Sequence, residues 1–169
     1  MKRLSKFLDI QEVDLYPPLK HFLTQQGYEV KGEVEHCDVI AVRGDERVVV
    51  VELKLSINLT VMLQAVDRLQ ISDTVYIGVP KGIAVLQKQR KQVVKLLRML
   101  GLGLMVIDPA AAIGSVDVLC DPGEYKPRQV KQRTHRLLGE FMLRVGDPNA
   151  GGSTARRGIM TVYRQKALA

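Results

Sequence analysis

The chain has 169 residues, 46% of them apolar and 25% charged, with a net charge of +7. These values fit a globular chain with a real core, in one domain or one domain with a small appendage, and exclude a disordered or fibrous one. No stretch has the length and lack of charge of a membrane span, no signal-peptide pattern opens the chain, and Cys37 and Cys120 form no CxxC pair, so reduced thiols, no zinc site and a cytoplasmic setting are expected. The charge is uneven. Residues 1–80 carry 9 Lys/Arg against 12 Asp/Glu, and residues 81–169 carry 16 against 6. A strongly basic half suits a polyanionic partner, although general basicity would account for it equally well.

At the start, Leu4, Phe7 and Leu8 allow a short helix. Asp14 reads as a helix N-cap with Pro17 in the first turn; Leu15, Leu19, Phe22 and Leu23 make one apolar face, and Gly27 ends the helix. Tyr28 to Val34 reads as a strand. From Cys37 to Leu55 two apolar runs flank the turn-rich Arg43-Gly44-Asp45-Glu46, which predicts two more strands of an antiparallel meander. The run Val48 to Val51 is all valine, so that strand should be covered on both faces. Ser56 and Asn58 offer caps for the next helix, whose buried stripe is expected at Leu59, Met62, Leu63, Val66 and Leu69. Thr74 to Val79, closed by Pro80, predicts a buried strand joined in parallel by a right-handed crossover.

Residues 84–100 predict a helix, apolar at Leu86, Val93, Val94, Leu97 and Leu100 and basic at Lys88, Arg90, Lys91, Lys95 and Arg98. Strands are expected at Leu102 to Ile107 and Val116 to Cys120. A basic helix within 126–145 should bury Leu137, Leu138, Phe141 and Met142. Gly146 to Gly152 reads as a linker. A helical segment from Thr154 stops at Ala169 without a helix-ending signal, as though the chain continued or the helix packed on a partner. The expected division is a domain over 1–145 and a linker with a helical segment over 146–169.

The chemistry concentrates at the end of the valine strand, in Glu52-Leu53-Lys54. Side chains alternate across a strand, so Glu52 and Lys54 share a face and Leu53 points away. The preceding strand carries Asp38 among apolar residues. Buried charges are costly unless paired or bound to a cation, so two carboxylates and an amine on adjacent strands read as a site. A structural ion pair between Glu52 and Lys54 is the alternative.

An Asp followed fourteen residues later by Glu-x-Lys at a strand end resembles the PD-(D/E)xK, or restriction-endonuclease-like, nuclease superfamily. The block from Asp14 to Pro18, Gly27 to Val34, the motif itself and Leu63 to Leu69 is similar to an uncharacterised bacterial family of that superfamily; no proline precedes Asp38. The resemblance implies an α/β (α+β, mixed-sheet) fold with a core of helix, three strands, helix and strand, flanked here by basic helices. It implies hydrolysis of phosphodiester bonds with Mg²⁺ or Mn²⁺ held by Asp38, Glu52, the carbonyl of Leu53 and, in a subset of relatives, a first-helix acid that would be Glu12. Lys54 would act beside the metal, and Gln64 on the following helix would face it. Gln64 as an ordinary solvent-facing residue and Arg68 as either a phosphate contact or an exposed ion-pairing side chain are equally open. Duplex DNA is the expected partner and a homodimer is possible. Aromatic content of 5% without Trp is poor for single-strand stacking. The competing reading is a non-catalytic nucleic-acid-binding or regulatory protein with a nuclease-like core, and a protein-interaction role for the last helix comes third.

Overall fold

A computed structural model describes residues 9–110, 115–149, 151–152 and 158–168. Leu4, Phe7 and Leu8 and the predicted helix start at Thr154 lie outside them. The chain forms two compact units, Met1–Lys126 and Pro127–Ala169. The glycine-rich stretch from Gly146 falls inside the second.

In the first unit a 3-10 turn, Glu12–Leu15, runs directly into helix α1, Tyr16–Gln25, with prolines in its first turn where a missing N–H costs little. Asp14 does not cap α1. Its carboxylate accepts the backbone N–H of Gln11 at 2.8 Å and closes the 3-10 turn, which already satisfies the chain before the helix begins. Gly27, at φ +86°, then reverses the chain.

Strands β1 (Glu29–Val34), β2 (Cys37–Val42), β3 (Val49–Leu53), β4 (Thr74–Pro80), β5 (Gly103–Asp108) and β6 (Ser115–Cys120) lie in sequence order in one sheet. The β1–β2, β2–β3 and β5–β6 pairs are antiparallel, while β3–β4 and β4–β5 are parallel. The parallel steps are made by helices α2, Leu59–Arg68, and α3, Ala84–Met99. This is the mixed α/β architecture with the helix, three strands, helix and strand expected from the sequence.

Every residue of β3 is buried, as the valine run requires. Val50 packs with Val75, Ile77 and Leu104 under α2 and α3, while Val49, Val51 and Leu53 pack with Leu15, Leu19 and Leu23 of the α1 side. Burying one such side chain contributes about 1.5–3 kcal/mol of transfer free energy. Charge at this strand's end is therefore held in a rigid frame.

α2 differs from its predicted orientation. Asn58 does cap it, accepting the Val61 N–H at 3.0 Å. Its buried residues are Val61 and Ala65, with Met62 and Leu69 partly covered, whereas Leu59, Leu63 and Val66 are exposed. Ala65 permits close approach of helix to sheet, and close packing outweighs the count of large apolar residues. Arg68, seven residues after Val61 and three after Ala65, thereby shares the sheet-facing side.

The second unit holds helices α4, Lys131–Leu143, and α5, Val162–Leu168. No residue of α4 is buried, and Leu137, Leu138, Phe141 and Met142, expected in a core, are exposed. Among the described residues this unit contains no strand on which such a stripe could lie. Polar contacts hold it instead. The Gln165 side-chain amide donates to the Val145 carbonyl at 2.7 Å and accepts its N–H at 2.9 Å, and Asn149 makes the same pair of bonds to Met160, each at 2.7 Å. No described helix is long and apolar enough to cross a membrane.

Candidate active site

β2 meets β3 with Ile40 opposite Val50 and Val39 opposite Val51. One further step of that register sets Asp38 opposite Glu52. Here the ladder gives way to a side-chain bond: Asp38 Oδ2 accepts the Leu53 backbone N–H at 2.8 Å. On the other edge of the strand the Lys54 N–H donates to the Gly78 carbonyl at 3.0 Å. The Glu-Leu-Lys end is thus anchored from both sides.

Lys54 reaches the acids in front of it. Its Nζ lies 3.9 Å from Asp38 Oδ2 and 3.4 Å from Glu12 Oε2, the latter on the 3-10 turn. Glu12, Tyr16, Gly32, Asp38 and Leu53 line a cavity of about 550 Å³ that also touches Glu33. The 3-10 turn and the β1–β2 hairpin therefore bring Glu12 and Asp38 to one opening.

Glu52 is only 2% exposed, the one buried charged residue among those described. Its Oε1 accepts Arg68 Nε at 2.7 Å, and Arg68 Nη2 donates to the His36 carbonyl at 2.5 Å. Burial pushes the Glu52 carboxyl above the usual glutamate range; the Arg68 hydrogen bond opposes that rise and the negative charge of Asp38 adds to it. The fold thus brings Glu12 and Asp38 to the cavity together with Leu53, sets the Lys54 ammonium beside both acids, and holds Glu52 on Arg68; neither Glu52 nor Lys54 lines the cavity. Gln64 is exposed and does not line the cavity. The α2 residue that reaches the sheet is Arg68, one turn further on. Its spacing from Ala65 was a usable signal, hidden by the larger apolar residues of the neighbouring face.

The hairpin under Arg68 is unusual. Glu35 and His36 form its two-residue turn at φ +48° and +63°, and Glu33 lies at φ +53°. Such turns call for positive φ at both central positions, which Asn-Gly supplies at least cost. A bulky residue there costs about 1–2 kcal/mol, and strain of this kind concentrates at functional sites.

Among the described residues, no three Asp, Glu, His or Cys side chains converge into a metal cluster by themselves. Asp38 and Glu52 are hard oxygen donors, as a main-chain carbonyl at Leu53 would be. That set suits Mg²⁺ or Mn²⁺, which are held by one or two protein carboxylates and retained water, and does not suit zinc or copper.

A family model described as "Putative PD-(D/E)XK phosphodiesterase (DUF2161)" matches residues 105–169. The matched segment takes in the end of β5, β6 and the second unit; Asp38, Glu52 and Lys54 precede it. No curated protein matches the chain. That match and the mixed sheet and helix order of a restriction-endonuclease-like fold together support membership of the PD-(D/E)xK-like superfamily.

Proposed function

We propose that the chain is a divalent-cation-dependent nuclease that hydrolyses phosphodiester bonds, with duplex DNA as its substrate. The observation that carries this reading is Glu52, a carboxylate buried at the end of an otherwise apolar strand beside Asp38. Asp38, Glu52 and the Leu53 carbonyl would hold Mg²⁺ or Mn²⁺, and Glu12 lines the cavity that Asp38 and Leu53 also line. A bound divalent ion supplies a water of lowered pKa and offsets charge on the phosphorane. Lys54 presents an ammonium beside Asp38, where it orients the attacking water or stabilises the phosphorane oxygens. The rigid strand end keeps these groups in fixed relation, which is the larger part of what a protein contributes to such a reaction.

Charge distribution supports a polyanionic substrate. Residues 1–126 carry 16 Lys/Arg and 16 Asp/Glu, whereas residues 127–169 carry 9 against 2. The whole excess of +7 therefore lies in the second unit, where exposed lysines and arginines suit sequence-independent phosphate contacts. Cleavage of plasmid, linear, branched and RNA substrates with Mg²⁺, Mn²⁺ or EDTA tests the proposal. Metal-dependent cutting that disappears in Lys54→Ala is expected; cutting that survives this change undiminished would remove the assignment. Sedimentation with and without duplex tests for the homodimer that double-strand cleavage favours.

A second reading has its own observation. Each acid already has an internal cation, Arg68 on Glu52 and Lys54 on Asp38 and Glu12. A non-catalytic nucleic-acid-binding protein would keep such pairs without metal. Salt-sensitive DNA binding with no Mn²⁺ uptake would select that reading.

A further inference from the structure

The reaction outlined above gives Arg68 no part, yet its Nε donates to the Glu52 carboxylate at 2.7 Å. The two donors of its planar fork go to different elements: Nε to the Glu52 carboxylate on β3 and Nη2 to the His36 carbonyl in the β1–β2 turn. Its side chain is 18% exposed and that of Glu52 is 3% exposed, so the pair is largely withdrawn from water. A guanidinium held at one nitrogen by a carbonyl cannot swivel freely, and the carboxylate bonded to the next nitrogen inherits that restraint. The bond takes Oε1 of Glu52. Among the described residues Oε2 has no hydrogen-bond partner. The strained hairpin that supplies the His36 carbonyl also delivers Asp38 two residues later, so one guanidinium fixes both acidic strands relative to each other.

We propose that Arg68 is a positioning residue for the cation site: it sets the rotation of the Glu52 carboxylate through Oε1, leaving Oε2 for the divalent ion, and locks the β1–β2 turn so that Asp38 faces the same ion. This rests on the metal-dependent reading above. Groups that orient a ligand from behind change metal affinity by roughly ten- to a hundred-fold when removed.

The test is Mn²⁺ titration of the full chain by calorimetry and by the Mn²⁺ paramagnetic resonance signal, alongside kcat and KM for duplex cleavage. Wild type, Arg68→Ala, Arg68→Lys and Arg47→Ala are compared, the last removing an exposed arginine that pairs with Asp73 away from the site. Folding of each is checked by circular dichroism. Arg68→Ala should bind Mn²⁺ roughly ten- to a hundred-fold more weakly and lose kcat. Millimolar guanidinium added to it should restore part of the affinity, which a merely structural loss would not show. Arg68→Lys keeps the charge without the fork and should lie between. Arg47→Ala should match wild type. A folded Arg68→Ala with wild-type Mn²⁺ affinity overturns the inference. If Arg68→Ala does not fold, Arg68→Lys with unchanged affinity overturns it equally. Wild type that binds no Mn²⁺ refutes the metal-dependent reading itself, an outcome distinct from the first two.

Discussion

The two ends of the β2–β3 pair carry the same kinds of side chain and use them differently. At the turn end Arg43 grips Glu46 through two bonds of 3.0 and 2.7 Å, and both side chains stand in water. At the other end Arg68 grips Glu52 at 2.7 Å, with the charges of Asp38 and Lys54 acting on it, and the acid is buried. Bond length does not separate these pairs; solvent does. An exposed pair exchanges water for a partner at little net gain. A withdrawn carboxylate depends on its partner, and losing either member leaves a charge that water cannot reach. The first end is thus only a tie between strands, whereas the second is the end to which the proposed function assigns a cation.

Four substitutions and one titration test that contrast, from the largest expected effect downward. Glu52→Ala should abolish Mn²⁺ binding and cleavage and lower stability by about 3 kcal/mol, the scale for breaking a buried pair; denaturant melts and calorimetry measure both. If stability is unchanged, the two ends are equivalent. Lys54→Ala should leave the fold intact and reduce kcat by about a hundred- to a thousand-fold, as for removal of a charge-stabilising donor, read by single-turnover cleavage.

Gly78→Ala probes the frame. An added Cβ would lie 2.9 Å from Leu53 Cδ2 and 3.2 Å from Ile107 Cδ1, so the residue between Glu52 and Lys54 must move. Overpacking of this kind costs about 1–3 kcal/mol, and cleavage should fall with stability. The fourth test is a pH titration. Because burial raises the Glu52 carboxyl in the folded chain, its protonated form stabilises the fold at low pH, and that contribution fades as pH rises through the folded value. The melting temperature of wild type minus that of Glu52→Gln should therefore fall from about pH 4 to about pH 7. A difference that rises would show that Arg68 more than offsets burial. Smallest of all, Glu46→Gln should leave melting temperature, Mn²⁺ affinity and cleavage unresolved from wild type.

The elements were legible because each has a strong local cause. The valine run could only be a doubly covered strand, and Pro80, Gly27 and Asn58 end or begin elements through backbone chemistry that does not depend on the rest of the fold. The charged strand end was legible for the same reason, since Asp38, Glu52 and Lys54 interrupt patterns that are otherwise apolar. Helix faces were not. The stripe through Leu59, Leu63 and Val66 is more apolar than the one through Val61, Ala65 and Arg68, yet the second faces the sheet. On α4 the apolar residues are exposed, and among the described residues their unit holds no strand on which they could lie.

The sequence by itself determined which segments extend, which coil, and where charge interrupts the core, because propensity, capping and alternation act over a few residues. Only the tertiary structure decided how α2 turns over the sheet and hence that Arg68, not Gln64, meets Glu52. That choice depends on how closely a helix can approach a sheet, a property of two surfaces in contact that no single stretch of chain contains.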